Sequence, residues 1–170
     1  NRRSARHSRA TLTAMPRALI AVGAAITALV PASAAASPTQ ESIFMDDPKV
    51  VYSAPERLEA TLAEMKRLGA DRIRVSVFWH LLAPDPDSEA RPFAAGMGAD
   101  PRNYAAEKWD RYDRIVTTAR QVGLKVLFNI TSPAPPWATP PAPRDDIEPT
   151  YRPDAGEFRD FVKAVGTRYS

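Results

Sequence analysis

Residues 68–79 read LGADRIRVSVFW, and this stretch indicates the class of fold. Gly69 ends a helical pattern, because the apolar residues before it recur on one helix face, at Leu58, Leu62, Met65 and Leu68. A strand follows at once, because two sets of residues alternate along 72–79. One set is apolar and comprises Ile73, Val75, Val77 and Trp79. The other set comprises Arg72, Arg74, Ser76 and Phe78.

The same succession of helix, glycine and strand occurs a second time. Helical spacing of apolar residues from Trp109 to Val122 ends at Gly123. Residues 124–130 then form a nearly continuous apolar run, which is typical of a strand covered on both faces. Both helix-to-strand connections are therefore predicted to be very short.

Further elements are predicted at the two ends of this region. Residues 43–48 predict a short apolar strand followed by a turn at Asp-Asp-Pro. Ser53 with Glu56, and Asp154 with Glu157, predict capping boxes at the starts of the first and third helices. The apolar face of the third helix comprises Phe158, Phe161, Val162, Val165 and Tyr169.

The order of strand and helix, three times over, favours parallel strands with right-handed crossovers. The strand-to-helix loops, roughly 81–103 and 131–153, are long and rich in proline. Since such loops carry function at the carboxyl ends of parallel strands, we predict an α/β fold that is a partial (β/α)8 TIM barrel, about the first three βα units. The remaining units would lie beyond Ser170. A doubly wound sheet is the alternative, but the lone Gly-x-Gly at 96–98 follows no strand and does not favour nucleotide binding.

Charge separates the N-terminal 36 residues from the rest. The formal net charge is +3, yet residues 1–36 hold five arginines and no acidic residue. The remaining residues hold 18 basic and 20 acidic residues, so a nucleic-acid partner is not expected. The absence of cysteine excludes a disulfide scaffold, thiolate metal sites and a thiol nucleophile.

Residues 1–36 have the pattern of a secretory signal peptide with an upstream extension, Met15 being a candidate start. Arginines precede an uncharged, mostly apolar run at 18–30, and small residues follow Pro31. A membrane anchor is the alternative, but this run is short against the roughly 20 residues that a spanning helix needs. We predict a secreted, extracellular protein with a linker at 37–42 and no membrane contact after cleavage.

Four residues are candidates for a functional site. Arg74 would point into the barrel and need a carboxylate partner, either in a catalytic centre or in a structural ion pair. Trp79 and Trp137 could each stack on a sugar ring or pack within the protein. His80 could donate a proton or hydrogen bond to substrate, or be structural. Acidic pairs in loops are usually solvated, so no metal site is predicted at Asp46-Asp47 or at Asp145-Asp146 with Glu148.

Several of these segments together resemble the N-terminal part of clan A glycoside hydrolases, the cellulase-like (β/α)8 barrels near families 5 and 39. The resemblance covers roughly 43–170 and rests on residues 68–79, 83–84, 109–113, 123–128 and 135–138. It implies that Arg74 hydrogen-bonds the nucleophilic glutamate and that Trp79 closes the second strand. The two catalytic glutamates of the family are not in this sequence. Residues 129–131, Asn-Ile-Thr, stand where cellulase-like members often have a histidine, which argues against a plain family 5 cellulase.

The resemblance implies retaining hydrolysis of O-glycosidic bonds in a polysaccharide or oligosaccharide, with no cofactor. In such enzymes two carboxyl groups lie about 5–5.5 Å apart, one acting as nucleophile and one as acid and base. Because both are missing here, this polypeptide alone is expected to be inactive. The alternatives are a non-catalytic carbohydrate-binding or cell-surface protein on a degenerate barrel, and a truncated sequence without function.

Overall fold

The computed structural model describes residues 39–94 and 96–170. The predicted signal peptide over 1–36 and the start of the predicted linker lie outside these residues. The strands are β1 (Ile43–Phe44), β2 (Arg72–Phe78) and β3 (Lys125–Thr131). The described α-helices are α1 (Asp47–Val50), α2 (Pro55–Arg67), α3 (Trp79–Leu82), α4 (Ala106–Gln121) and α5 (Ala155–Tyr169). Short 3-10 turns occupy Met97–Ala99, Pro101–Asn103, Pro136–Ala138 and Asp145–Thr150.

The three strands form one parallel sheet in the order β1-β2-β3, which confirms the α/β class with parallel strands. Phe44 of β1 lies opposite Ile73 of β2, and Arg74 of β2 lies opposite Leu127 of β3. Strands that are consecutive in the chain are therefore also neighbours in the sheet. A helix lies in each connection between them, α2 before β2 and α4 before β3.

The apolar core lies on one side of the sheet. Ile73, Val75 and Val77 of β2 are fully buried there. They share the core with residues of α2 and α4, chiefly Leu58, Leu62, Met65, Trp109, Tyr112, Ile115 and Ala119. The opposite side is open: Leu127 is 41% exposed and Lys125 is exposed as well. The expectation that the β3 segment is covered on both faces is therefore wrong, because the described elements cover only one of them.

Tyr112 ties α4 to the end of β2. The Phe78 backbone N–H donates to the Tyr112 hydroxyl oxygen at 3.3 Å. Burial raises the pKa of Tyr112 to about 12, since the phenolate would lose its hydration. The hydroxyl is neutral at physiological pH with or without this shift, and its hydrogen bond joins α4 to the end of β2.

Two glycines end α2 and α4 in the same way. Gly69 and Gly123 have φ of 93° and 76°, a left-handed region that glycine enters with less strain than any other residue. After α2, the Ala70 N–H donates to the Met65 carbonyl at 3.0 Å, and after α4 the Leu124 N–H does the same to Ala119 at 2.8 Å. These are Schellman motifs, and each turns the chain straight into the next strand.

Neither predicted capping box forms in full, although both helices begin where the sequence predicts. In the second box the Glu157 carboxylate pairs with Arg91, so only the half made by Asp154 is present. Asp154 caps α5, since its Oδ1 accepts the Glu157 N–H at 2.9 Å. Ser53 does not cap α2, whose N-cap is Ala54. The Ser53 hydroxyl donates instead to the Lys49 carbonyl at 2.6 Å, because the end of α1 leaves that oxygen without a helical partner. The turn predicted at 46–48 is the start of α1.

An ion pair joins α4 to α5. Arg168 donates to both carboxylate oxygens of Asp113, and the Tyr169 hydroxyl donates to Oδ1 at 2.8 Å. Hydrogen bonding from Arg168 holds the pKa of Asp113 below its usual range. The same guanidinium lies 5.1 Å from the centre of the Trp109 ring. α5 is thereby held beside α4 although a loop of more than twenty residues separates it from β3.

We expect Gly69→Ala and Gly123→Ala each to lower the free energy of unfolding by about 1–2 kcal/mol. An added Cβ at Gly69 meets nothing within 4 Å, so the loss would come from backbone strain and not from crowding. Gly166→Ala is the matched control, because Gly166 lies inside α5 with open space around it and without a positive φ. It should raise stability by about 0.5–1 kcal/mol. Urea unfolding followed by circular dichroism measures all three, and wild-type stability in the first two variants would contradict the assignment.

Candidate functional site

The loops at the carboxyl ends of β2 and β3 are joined into one surface, which we call the loop surface (79–94, 96–103 and 132–153). The His80 N–H donates to the Pro133 carbonyl at 3.0 Å, and the Trp137 indole N–H donates to the Pro84 carbonyl at 3.3 Å. Arg91 adds a clamp, since its guanidinium pairs with Glu157 of α5 at 2.7 and 3.0 Å. The long loops are thus fixed to each other and to α5.

Arg74 lies on the open face of the sheet, away from the core. Its neighbours in β2, Ile73 and Val75, are buried against the helices. Its guanidinium donates to the sulfur of Met45, and none of the described carboxylates pairs with it. The side chain is partly exposed, so water still solvates the charge. The carboxylate partner expected for this arginine is therefore not among the described residues.

The other two cations of the open face are paired at the amino ends of the strands. Glu41 accepts from Arg72 at 2.9 Å and also from Lys125, so one carboxylate joins β2 to β3. These hydrogen bonds, with Lys125 as the larger contributor, hold the pKa of Glu41 below its usual range. Sequence reasoning missed Glu41, because it lies in the predicted linker, 31 residues before Arg72. Arg74 differs from both cations in having no such partner.

Trp79 is a core residue. It begins α3 and is only 1% exposed. Its ring stacks on Phe161 at 5.6 Å and contacts Phe158 at 5.5 Å and Trp137 at 5.8 Å. Because the side chain is almost wholly covered by these rings, its position favours the packing role over the predicted substrate contact.

His80 is partly exposed on the loop surface. Its Nε2 lies 3.7 Å from Asp87 Oδ1, a loose contact with a carboxylate that is almost wholly exposed. The imidazole is therefore accessible, and its backbone N–H is the atom that holds the loop. The structure brings His80 and Trp137 to the same surface but places Arg74 on the open face of the sheet.

Trp137 lines a pocket on the loop surface. The pocket has a volume of about 460 Å³ and is lined by Trp137, Ala138, Thr139, Pro140, Arg152 and Asp154. Sequence reasoning missed Arg152 and treated Asp154 only as a helix cap. The sequence contains little indication of a binding site here, because an Arg-Pro-Asp triplet is also typical of a loop that leads into a helix. The pocket unites residues from the two ends of the loop between β3 and α5.

The acidic pair after β1 has structural partners. Asp46 caps α1 by accepting the Lys49 N–H, and Asp47 accepts the Ser76 N–H at 3.1 Å. Among the side chains that the structure describes, no group of three or more His, Cys, Asp or Glu residues could hold a metal ion. The side chains of Asp145 and Glu148 lie outside that described set. Within residues 39–94 and 96–170 no helix has both the length and the apolar character needed to cross a bilayer.

Comparisons with known proteins identify no relative. No protein-family model, no curated protein sequence and no solved structure matches the chain.

Trp79→Ala and Trp137→Ala separate a core role from a surface role. We expect Trp79→Ala to cost about 3–5 kcal/mol of folding free energy, because it leaves a large cavity among three rings. Trp137→Ala should cost about 1–2 kcal/mol, since that ring is only half buried. Thermal melts monitored by circular dichroism measure both. If Trp79→Ala does not fold, Trp79→Phe should still be less stable than Trp137→Phe, and the reverse order would contradict the placement.

Proposed function

We propose that the chain carries the first three βα units of a secreted (β/α)8-barrel glycoside hydrolase. In this proposal the units supply one side of a sugar cleft and a supporting arginine, and the two catalytic glutamates belong to later units. The observation that carries the proposal is the position of Arg74, a cation without a carboxylate on the side of a parallel sheet that faces away from the helices.

The order of the strands supports a barrel over a doubly wound sheet. In a doubly wound sheet the strand order reverses and helices cover both faces. Here β1, β2 and β3 are neighbours in chain order, and α2 and α4 contact each other on the same face. A barrel is built by continuing this arrangement until the sheet closes.

Exposed apolar residues on the open face support closure by further strands. Ile43 and Met45 are 51% and 56% exposed, and Leu127 is 41% exposed. In register they lie on the same side as Arg72 and Arg74. Inside a closed barrel these side chains would belong to the packed interior layers. Exposed outer strands such as β1 and β3 are otherwise prone to pair with other chains.

The proposed chemistry assigns Arg74 a positioning role. A guanidinium beside a carboxyl group favours its ionised form, which is the form that a nucleophile needs. In a retaining hydrolase the general acid lies about 5–5.5 Å from the nucleophile. A less polar environment around the acid would keep it protonated. The loop surface would bind the sugar, since this surface lies at the carboxyl ends of the strands. Its prolines and ion pairs preorganise it for binding.

Two measurements test this function. The 170-residue chain should release no reducing sugar from soluble β-glucans above the level of a heat-denatured control, and sustained turnover would contradict the absence of the catalytic pair. The coding sequence after the Ser170 codon should then encode a strand followed by Asn-Glu. An immediate stop, or a strand without the glutamate, would contradict the hydrolase and favour a carbohydrate-binding protein.

A further inference from the structure

The pocket beside Trp137 has one aromatic wall and two charged groups of opposite sign. Trp137 comes from the turn Pro136–Ala138, and Arg152 and Asp154 come from the segment just before α5. The Asp154 N–H donates to the Ala138 carbonyl at 2.8 Å and closes this segment onto the turn. The volume of the pocket, about 460 Å³, lies within the range of small-molecule sites.

The aromatic wall is fixed in place. The Trp137 ring meets Trp79 and Phe93 edge-on, each at 5.8 Å and 89°. Its indole N–H is occupied by the Pro84 carbonyl. A ligand that contacts the part of Trp137 that lines the pocket therefore meets a side chain whose conformation is already fixed.

The two charged groups are free to bind a ligand. Arg152 has no hydrogen bond or ion pair with any of the described residues, and its backbone is held at φ 45°. Asp154 uses Oδ1 to cap α5, and its Oδ2 has no donor within the described part of the chain. A guanidinium only donates and a carboxylate only accepts, whereas neighbouring hydroxyl groups of a sugar can satisfy both.

We infer that this pocket binds a neutral pyranose, which stacks on Trp137 and hydrogen-bonds Arg152 and Asp154 through adjacent hydroxyl groups. The charges of the two side chains cancel, so a carboxylated sugar would gain no net attraction. Its carboxylate would also lose hydration on binding, which makes it the weaker ligand. This inference rests on the proposed function and specifies the sugar class and the residues that recognise it.

The test follows the three indole N–H signals of the 170-residue chain by NMR during titration with methyl β-pyranosides. Glucose, galactose, mannose and xylose supply the neutral probes, and the glucuronide is the carboxylated probe. At least one neutral pyranoside should shift the Trp137 signal saturably, and the glucuronide should bind at least about tenfold more weakly.

Variants locate the site. Arg152→Asn and Asp154→Asn should each weaken binding about tenfold or more. Trp137→Ala lacks the reporting indole, so its binding is followed by saturation transfer to the sugar protons, and it should be abolished. Both asparagines suit their positions, since asparagine tolerates positive φ and caps helices well. Arg144→Asn is the matched control, because Arg144 lies on the same loop and pairs with Asp146 outside the pocket. It should leave binding unchanged.

The possible results separate this inference from the proposed function. A glucuronide that binds as tightly as the neutral sugars would overturn the sugar class. Neutral binding that survives Arg152→Asn and Asp154→Asn would overturn the pocket while leaving carbohydrate recognition intact. No binding of any probe would overturn the inference, and the glutamate after Ser170 would still decide the hydrolase independently.

Discussion

The alternation of β2 is the constraint on which the rest of the structure depends. Ile73, Val75 and Val77 enter the core beneath α2 and α4, and the residues between them face the other way. A shift by one residue would place the guanidinium of Arg74 in that core, where an unpaired charge is very unfavourable. The register is therefore fixed because the apolar residues of β2 need burial while Arg74 between them needs solvent or a charged partner. The same register decides which side chains each face of the sheet presents.

The loop surface depends on the same strand. β2 ends at Phe78, and Trp79 continues the buried side of the alternation into the rings of α5. This aromatic contact, with the Arg91–Glu157 clamp, holds long proline-rich loops that would otherwise be mobile. A pocket built on those loops can therefore have a defined shape. The packing of Trp79 thus also fixes the placement of Trp137 beside it.

Local signals in the sequence were sufficient for the main elements and insufficient for their partners. Alternation predicted β2, and Gly69 and Gly123 predicted the ends of two helices, because each signal depends only on neighbours in the chain. The roles of Ser53 and Glu41 depend on atoms of α1, β2 and β3, and no local pattern contains them. The same holds for Arg152, which meets Trp137 only because the loop between β3 and α5 folds back.

Reactivity of single cysteines tests the two-faced sheet most directly, since the chain has no cysteine of its own. Arg74→Cys and Leu127→Cys would report the open face, and Val75→Cys and Val77→Cys the core face. With a maleimide under native conditions, we expect the first pair to react nearly as fast as in urea and the second on the order of 100-fold more slowly, at the rate of local opening. Equal protection at positions 74 and 75, or fast reaction at both, would contradict a sheet with one covered face and one open face.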